Sequence, residues 1–226
     1  MINNNLPVGN TDLNINQIKK QIAANRFMLP VSKAHNEMAP HRKNNISVLD
    51  QKNIKYAAVL MLLFPYRNTV STIFIHRARY EGIHSNQIAF PGGKYEKQDG
   101  SYFQTALRET EEELGIPSDN IHKIIQLSNI YIPVSNFQIT PFLGVTHGLP
   151  EIIPDKREIN DYFTAPIEAF FQKNAVKNKE VKAGPEQSIV VPCFVFNHNI
   201  IWGATAMILN EARYLIGSSK TGTDNR

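Results

Sequence analysis

The feature that most constrains the fold is an uninterrupted apolar stretch, AAVLMLLF, at residues 57–64. It is far shorter than the roughly 20 apolar residues that a membrane-crossing helix needs. Within YAAVLMLLFPY, the stretch is typical of the central strand of a sheet. STIFIHRA, which follows the turn signal YRN, predicts the strand that pairs with it as a hairpin. We therefore expect the domain to be built on a sheet centred on residues 57–64.

Three patterns predict helices. Residues 101–114, SYFQTALRETEEEL, have apolar side chains at helical spacing, with Gly115 at the C-cap position and Pro117 beyond it. GATAMILNEARYLIG predicts a last amphipathic helix, and INQIKKQIAANRF predicts a leading one before an irregular arm. The apolar face of the leading helix consists of Ile15, Ile18, Ile22 and Phe27. The strand patterns after residue 122 are KIIQLSNIYIP, FQITPFLGVTH, INDYFTAP, EVKAG and IVVPCFVF.

The composition is that of an ordinary globular protein, with 226 residues, of which 42% are hydrophobic and 19% charged. Such a chain can bury one sizeable core, so we expect one domain with appendages. Its predicted parts are an N-terminal helix and arm over 1–50, the main domain over 51–216 and a flexible tail over 217–226. Cys193 is expected to be a buried apolar side chain and not a catalytic thiol.

The net charge of the chain says little about which kind of molecule it binds. A surplus of 24 basic over 20 acidic residues is too small to predict nucleic-acid binding, and it does not oppose a phosphate-rich small molecule. The N-terminus lacks a basic-then-apolar signal pattern, so we expect a cytoplasmic protein without membrane contact. The oligomeric state stays open, with a homodimer as one alternative.

The acidic segment RETEEELGI lies on the predicted helix and carries four glutamates within five residues. At about 100° per residue, Glu109, Glu112 and Glu113 share one face of the helix, while Glu111 points elsewhere, toward solvent. Carboxylate oxygens are the ligands that hard divalent cations such as Mg²⁺ prefer. Alternatively, the acids are only a hydrated surface, which is the commoner meaning of a charge run. The glycines before and after the helix favour a cation site, because they fix the acids in a loop-helix-loop.

At these residues the sequence resembles the Nudix hydrolase family, whose box reads G-x5-E-x7-R-E-U-x-E-E-x-G-U, with U a bulky aliphatic residue. The residues that match it are Gly93, Arg108, Glu109, Glu112, Glu113, Gly115 and Ile116. Two positions depart from the pattern. Thr110 replaces an aliphatic residue, and Asp99 represents the first acid, with eight residues instead of seven before Arg108. The resemblance implies the Nudix fold, an α/β (α+β) structure in which a mixed β-sheet is sandwiched between α-helices.

A second signature lies just upstream, in HRARYEGIHSNQIAFPGGK. It resembles the motif of the coenzyme A pyrophosphatase branch, roughly L-L-T-x-R-(S/A) followed by G-x3-F-P-G-G. IFIHRA supplies the first half with Arg77 and Ala78, and QIAFPGG supplies the second, with Asn86 where the motif has glycine. AHNEMAP, YIPVSNFQITPFLG and IWGATAMIL resemble the same branch. The resemblance implies hydrolysis of coenzyme A, or of an acyl derivative, to 3′,5′-ADP and 4′-phosphopantetheine or its acyl form.

The resemblance also implies roles for the residues of the box. Glu109, Glu112 and Glu113 would hold Mg²⁺ or Mn²⁺, and such a cation neutralises phosphoryl charge and lowers the pKa of an attacking water. Arg108 would orient a box carboxylate through a bidentate contact. The general base stays open between the box glutamates and a later acid such as Glu158.

Four upstream residues are candidates for substrate binding. Arg77 fits the 3′-phosphate or diphosphate of coenzyme A, because guanidinium matches phosphate geometry, but an arginine that ends a strand is as often a surface ion-pair partner. His84 could approach the substrate or be simply solvated. Gly92 and Gly93 allow close backbone approach to the metal site, or they only make the turn.

Two other functions compete with this interpretation. A Nudix hydrolase of another nucleoside diphosphate derivative, such as ADP-ribose or a dinucleotide, would share the box, and only the upstream motif argues against it. A Nudix-fold binding module would be expected to have lost box carboxylates, which this chain retains. We therefore expect an enzyme whose partner is a small-molecule substrate, coenzyme A or a related nucleotide.

Overall fold

The computed structural model describes residues 14–27, 31–40, 53–77, 87–172, 174–182 and 188–217. The helices of this part are α1 (Ile15–Asn25), α2 (Val31–Met38), α3 (Tyr102–Leu114) and α4 (Gly203–Ile216). Its strands are β1 (Lys55–Tyr66), β2 (Thr69–Arg77), β3 (Ile88–Ala89), β4 (Gly92–Lys94), β5 (His122–Gln126), β6 (Ile130–Ile132), β7 (Phe137–Val145), β8 (Ile159–Pro166), β9 (Val176–Lys182), β10 (Ser188–Phe196) and β11 (Asn199–Ile201). Outside the described residues lie Ala78, His84, Asn86 and the predicted tail SSKTGTDNR.

The apolar stretch forms β1, the central strand of the larger sheet, as its sequence predicts. β1 pairs in parallel with β7 along one edge, and along the other it pairs antiparallel first with β4 and then with β2. Alternate side chains of β1 enter two separate cores. One core receives Val59, Met61 and Leu63, and the other receives Ala58, Leu60, Leu62 and Phe64. Because both faces of the strand are covered, the sequence shows no alternation of polar and apolar residues.

Helices cover both faces of this sheet. α3 packs against β1 and β4 on one face, and α4 lies on the other face together with α1 and α2. A smaller antiparallel sheet, in the order β11-β10-β9, adds Phe194 and Phe196 to the core beneath α4. The expected mixed sheet between helices is therefore confirmed.

The N-terminal helices belong to the core. Ile18 and Ile22 of α1 are buried, and so is Met38 of α2. Since α2 lies where the sequence predicts an irregular arm, that prediction is wrong for residues 31–38. Phe27 was expected on the apolar face of α1, but it is 83% exposed because the helix ends at Asn25.

A buried carboxylate, that of Glu211, connects α2, α4 and Ser128. Glu211 of α4 accepts hydrogen bonds from the amide and the hydroxyl of Ser128, and it contacts Nε2 of His35 of α2 at 2.8 Å. The Glu211 side chain is only 4% exposed. A carboxylate buried this deeply requires such partners, so the network fixes how α2 packs against α4.

Two further expectations concern burial and membrane contact. Cys193 is fully buried in β10, as predicted, and is enclosed as a small packing side chain. In the part of the chain that the structure describes, no helix is both long and apolar enough to span a bilayer.

Candidate active site

Helix α3 is capped at both ends by residues of the adjoining sequence. The hydroxyl of Ser101 accepts a hydrogen bond from the amide of Gln104 at 3.2 Å, which caps the N-terminus. Gly115 adopts a left-handed conformation, with φ of 67°, and donates its N–H to the carbonyl of Glu111 at 2.8 Å. The acids between these caps therefore lie at fixed positions on a defined helix.

Glu109 and Glu113 face strand β4. The amide of Gly92 donates a hydrogen bond to Oε2 of Glu113 at 2.9 Å. Gly93 provides space for Glu109, since a Cβ added at Gly93 would lie 2.3 Å from Oε2 of that carboxylate. A Cβ at Gly92 would lie 2.3 Å from the carbonyl oxygen of Ala58 in β1. Both glycines are thus required by close packing between β1, β4 and α3.

Burial shapes the electrostatics of these two acids. It raises the pKa of Glu113 to about 7, to which the charges of Glu109 and Glu158 add, while Arg77 and the Gly92 amide oppose the rise. Burial also raises the pKa of Glu109, against the effect of Arg108 and, to a lesser degree, Arg77. For both carboxylates, burial outweighs the opposing effect of the nearby arginines, so their ionised forms are less favoured than in a free glutamate.

Glu112 and Glu111 lie nearer to solvent. The Glu112 side chain is 53% exposed and accepts a hydrogen bond from Nη1 of Arg108 at 2.8 Å. Glu111 is exposed on another side of the helix, as predicted, where its Oε2 accepts the amide of Ser118 at 3.3 Å. The predicted acidic face therefore consists of an inner pair, Glu109 and Glu113, with Glu112 at the rim.

Arg108 connects the acids to the turn before the helix. Its Nε and Nη2 donate to the two carboxylate oxygens of Asp99 at 2.8 and 3.3 Å, a bidentate contact. Nη2 also lies 3.0 Å from Oε1 of Glu109 and donates to the carbonyl of Lys94 at 3.1 Å. Arg108 thus orients Glu109 and Glu112 while Asp99 holds Arg108 in place.

Asp99, the candidate for the first acid of the box, contacts Arg108 in spite of its altered spacing. A turn over Lys97–Asp99 is followed by Gly100 in a left-handed conformation, with φ of 70°, and this reversal absorbs the extra residue before α3. The Asp99 side chain is 2% exposed, and it also accepts hydrogen bonds from the amide of Glu96 and the hydroxyl of Thr105. The Arg108 guanidinium and these donors lower the pKa of Asp99 to about 2.

The later loop brings Glu158 toward the same end of the helix. The amide of Ile153 donates to the carbonyl of Leu114 at 2.8 Å, and the amide of Asp155 donates to the carbonyl of Glu113 at 3.1 Å. Glu158 is exposed, and its charge contributes to the raised pKa of Glu113. The charge of Glu158 therefore acts on Glu113, and the role of Glu158 as general base stays a prediction.

The residues predicted for substrate binding have different outcomes. Arg77 is brought to the site, where Nη2 donates a hydrogen bond to the carbonyl of Gly92. His84 lies outside the described residues, so its predicted role stays a prediction. The sequence pattern gave no signal for the amide of Gly92 as a partner of Glu113, because a main-chain donor has no residue type of its own.

A divalent cation fits the chemistry of this site. Within the described ranges, no three histidine, cysteine, aspartate or glutamate side chains converge on one point as a closed metal cage. Mg²⁺, however, commonly binds through one or two carboxylates and completes its shell with waters and substrate phosphates. The inner pair of Glu109 and Glu113, with Glu112 beside them, can supply such a partial shell.

Comparison with known families decides how this arrangement is classified. Residues 55–184, more than half of the chain, match the NUDIX domain. The chain belongs to the Nudix family. The expected Nudix fold is thereby confirmed, and the box residues around Glu109 lie in the matched region.

This Nudix protein is similar to bacterial and human relatives. It is 30% identical over 160 residues to the "Uncharacterized Nudix hydrolase NudL" of Pectobacterium atrosepticum, covering 70% of this chain and 80% of that one. It is 30% identical over 162 residues to the "Mitochondrial coenzyme A diphosphatase NUDT8" of Homo sapiens, covering 71% of this chain and 69% of the relative. Among solved structures, a MutT/nudix family protein from Enterococcus faecalis aligns with a TM-score of 0.52 at 14% identity, covering 88% of this chain and 73% of that one.

Proposed function

We propose that this Nudix hydrolase cleaves the pyrophosphate bond of coenzyme A or its acyl derivatives, giving 3′,5′-ADP and 4′-phosphopantetheine or its acyl form. The observation that carries the reaction class is the inner pair of Glu109 and Glu113 against the glycines of β4, an arrangement that can bind a cation together with a diphosphate. Support for the substrate comes from the similarity to the human coenzyme A diphosphatase and from the upstream motif that contains Arg77.

The proposed reaction assigns a different role to each group of residues. Glu109 and Glu113 would hold Mg²⁺ or Mn²⁺, with Glu112 completing the set from the rim. A bound divalent cation supplies charge neutralisation on the diphosphate and a water of lowered pKa. Arg108 positions Glu109 and Glu112, and Asp99 fixes Arg108. The general base stays open between Glu158 and the box glutamates.

A substrate panel tests the proposal. The purified protein is incubated with Mg²⁺ or Mn²⁺ and, separately, coenzyme A, acyl-coenzyme A, ADP-ribose, NADH and a dinucleotide, and the products are identified by mass. We expect coenzyme A or its acyl form to yield the two phosphorylated halves fastest. Cleavage of ADP-ribose with coenzyme A left intact would reject the substrate, and no cleavage of any compound would favour a binding module.

The role of the acidic face is tested by two neighbouring substitutions. Glu112→Gln should lower kcat by at least about tenfold to a hundredfold, since groups that hold the ligands of a metal already have effects of this size. The fold should be retained, because this side chain is 53% exposed. Glu111→Gln, one residue away on another side of α3, is the matched control and should keep near-normal turnover. Near-normal activity in the Glu112 variant would remove Glu112 from the metal site.

A further inference from the structure

Arg77 is held at the edge of the site by its own main chain. It is the last residue of β2, at a register irregularity in the pairing of β2 with β8. Its N–H donates to the carbonyl of Gln87 at 3.2 Å, and its carbonyl accepts the side-chain amide of Asn160 at 3.3 Å. The backbone of Arg77 is thus held by hydrogen bonds on both sides, and the position of its side chain depends on the contacts that the guanidinium makes in the site.

The Arg77 guanidinium contacts Gly92, whose amide also binds Glu113. Its Nη2 donates to the carbonyl of Gly92, and the amide of the same Gly92 donates to Oε2 of Glu113. The positive charge acts on both inner acids, where it favours the ionised carboxylates of Glu113 and Glu109. Arg108 is engaged differently, since its bidentate partner is Asp99 and it reaches Glu109 and Glu112 from the outer side.

We propose that Arg77 is the resident cation of this site: its guanidinium stays bound to the Gly92 carbonyl, next to the amide that binds Glu113, until a divalent cation displaces it. The displacement rests on the proposed metal site. A guanidinium and a divalent ion repel strongly at a few ångströms, above all where burial keeps the effective dielectric constant low. Arg77 therefore leaves the Gly92 carbonyl when the metal binds.

The displaced guanidinium then has a second partner, the diphosphate of the substrate. Its planar set of N–H donors fits phosphate oxygens in a bidentate way, and those oxygens gather at the metal that replaced it. Arg77 is thus a positioning residue that exchanges a protein contact for a substrate contact. This second step rests on the proposed hydrolysis, whereas the displacement itself requires no substrate.

A metal titration of the full chain without nucleotide tests the displacement. Mn²⁺ binding is measured by calorimetry at low salt for the wild type, Arg77→Gln and Arg77→Lys. Because the substitution by glutamine removes a competing charge, Arg77→Gln should bind Mn²⁺ about tenfold more tightly than the wild type, with Arg77→Lys between them. Equal or weaker Mn²⁺ binding by Arg77→Gln, with a folded protein by circular dichroism, overturns the proposal. Arg157→Gln removes an exposed arginine paired with Asp155 and serves as the matched control with unchanged affinity.

Steady-state kinetics test the second step. Arg77→Gln should combine tighter Mn²⁺ binding with a KM for coenzyme A raised about tenfold, a combination that a merely structural defect would not produce. An unchanged KM overturns the contact with the diphosphate. If coenzyme A is no substrate at all, the proposed function fails, and the nucleotide-free Mn²⁺ titration still decides the displacement.

Discussion

Asp99 shows how a single side chain can keep a motif intact when its spacing is altered. The sequence indicates this residue as the first acid of the box, although eight residues instead of seven separate it from Arg108. The contact between the two residues exists because Gly100 reverses the chain before α3. Such a reversal depends on one backbone angle, which residue spacing alone does not encode.

Removing the Asp99 carboxylate should therefore loosen both the fold and the site. Asp99→Asn breaks a nearly buried charged pair and should lower the free energy of unfolding by about 1–3 kcal/mol at neutral pH. The pKa of Asp99 is lowered from 3.8 to about 2, so its stabilisation is present above pH 4 and is lost as the pH falls toward 2. Denaturant unfolding of wild type and variant should consequently give curves that converge between pH 4 and pH 2.

A second aspartate paired with arginine provides the control. Asp155 pairs with Arg157, whose side chain is 87% exposed, and ion pairs in such a position contribute little to stability. Asp155→Asn should leave the unfolding midpoint nearly unchanged. A similarly small effect of Asp99→Asn would mean that Asp99 does not secure Arg108.

Helix α3 illustrates what could be predicted at the level of elements. Its start, its end at Gly115 and the outward position of Glu111 followed from the sequence, because caps and helical periodicity are local signals. The separation of Glu112 from the inner pair did not follow, since it depends on contacts with β4 and Arg108. α2 was missed for a related reason: it is short, and its stability comes from packing on α4 instead of intrinsic propensity.

The end of α3 yields a test of how the helix and the loop with Glu158 are coupled. Gly115→Ala places a side chain in a left-handed conformation, which costs about 1–2 kcal/mol, and its Cβ would lie 2.9 Å from the carbonyl oxygen of Ile153. We expect lower thermal stability and reduced turnover, because Ile153 and Asp155 tie the loop to this helix end. Gly148→Ala, where an added Cβ meets nothing within 4 Å, should be nearly neutral in both measurements. Equal behaviour of the two variants would contradict the coupling.

At the scale of the whole molecule, the layered architecture could be predicted from the sequence, but how much of the N-terminal part packs on the core could not. Patterns of apolar residues identified the central strand, its hairpin partner and the last helix, and the family resemblance supplied their arrangement. The predicted domain boundary at residue 50 treats α1 as an appendage of the main domain. Because Ile18 and Ile22 of α1 are buried, substituting one of them tests this prediction. A sequence pattern can identify an apolar helix face without identifying the surface that covers it.

A substitution in α1 distinguishes an appendage from a part of the core. Ile22→Ala should lower the free energy of unfolding by about 2–4 kcal/mol, because Ile22 is 3% exposed and its removal leaves a cavity in the shared core. Lys19→Ala, at an exposed position of the same helix, should change stability by less than about 0.5 kcal/mol. Chemical denaturation monitored through the single tryptophan measures both. An unchanged midpoint for Ile22→Ala would support the division at residue 50.

The parallel pairing of β1 with β7 has a consequence for how the chain reaches its fold. Lys55 pairs with Phe137 and Leu63 with Val145, so β2, α3 and β5 all lie between the two strands in sequence. Contacts over such separations form slowly, because a long loop must close before they are made. During synthesis, this apolar strand therefore emerges long before its parallel partner, and until β7 arrives its unpaired edge and apolar side chains are exposed to association with other chains.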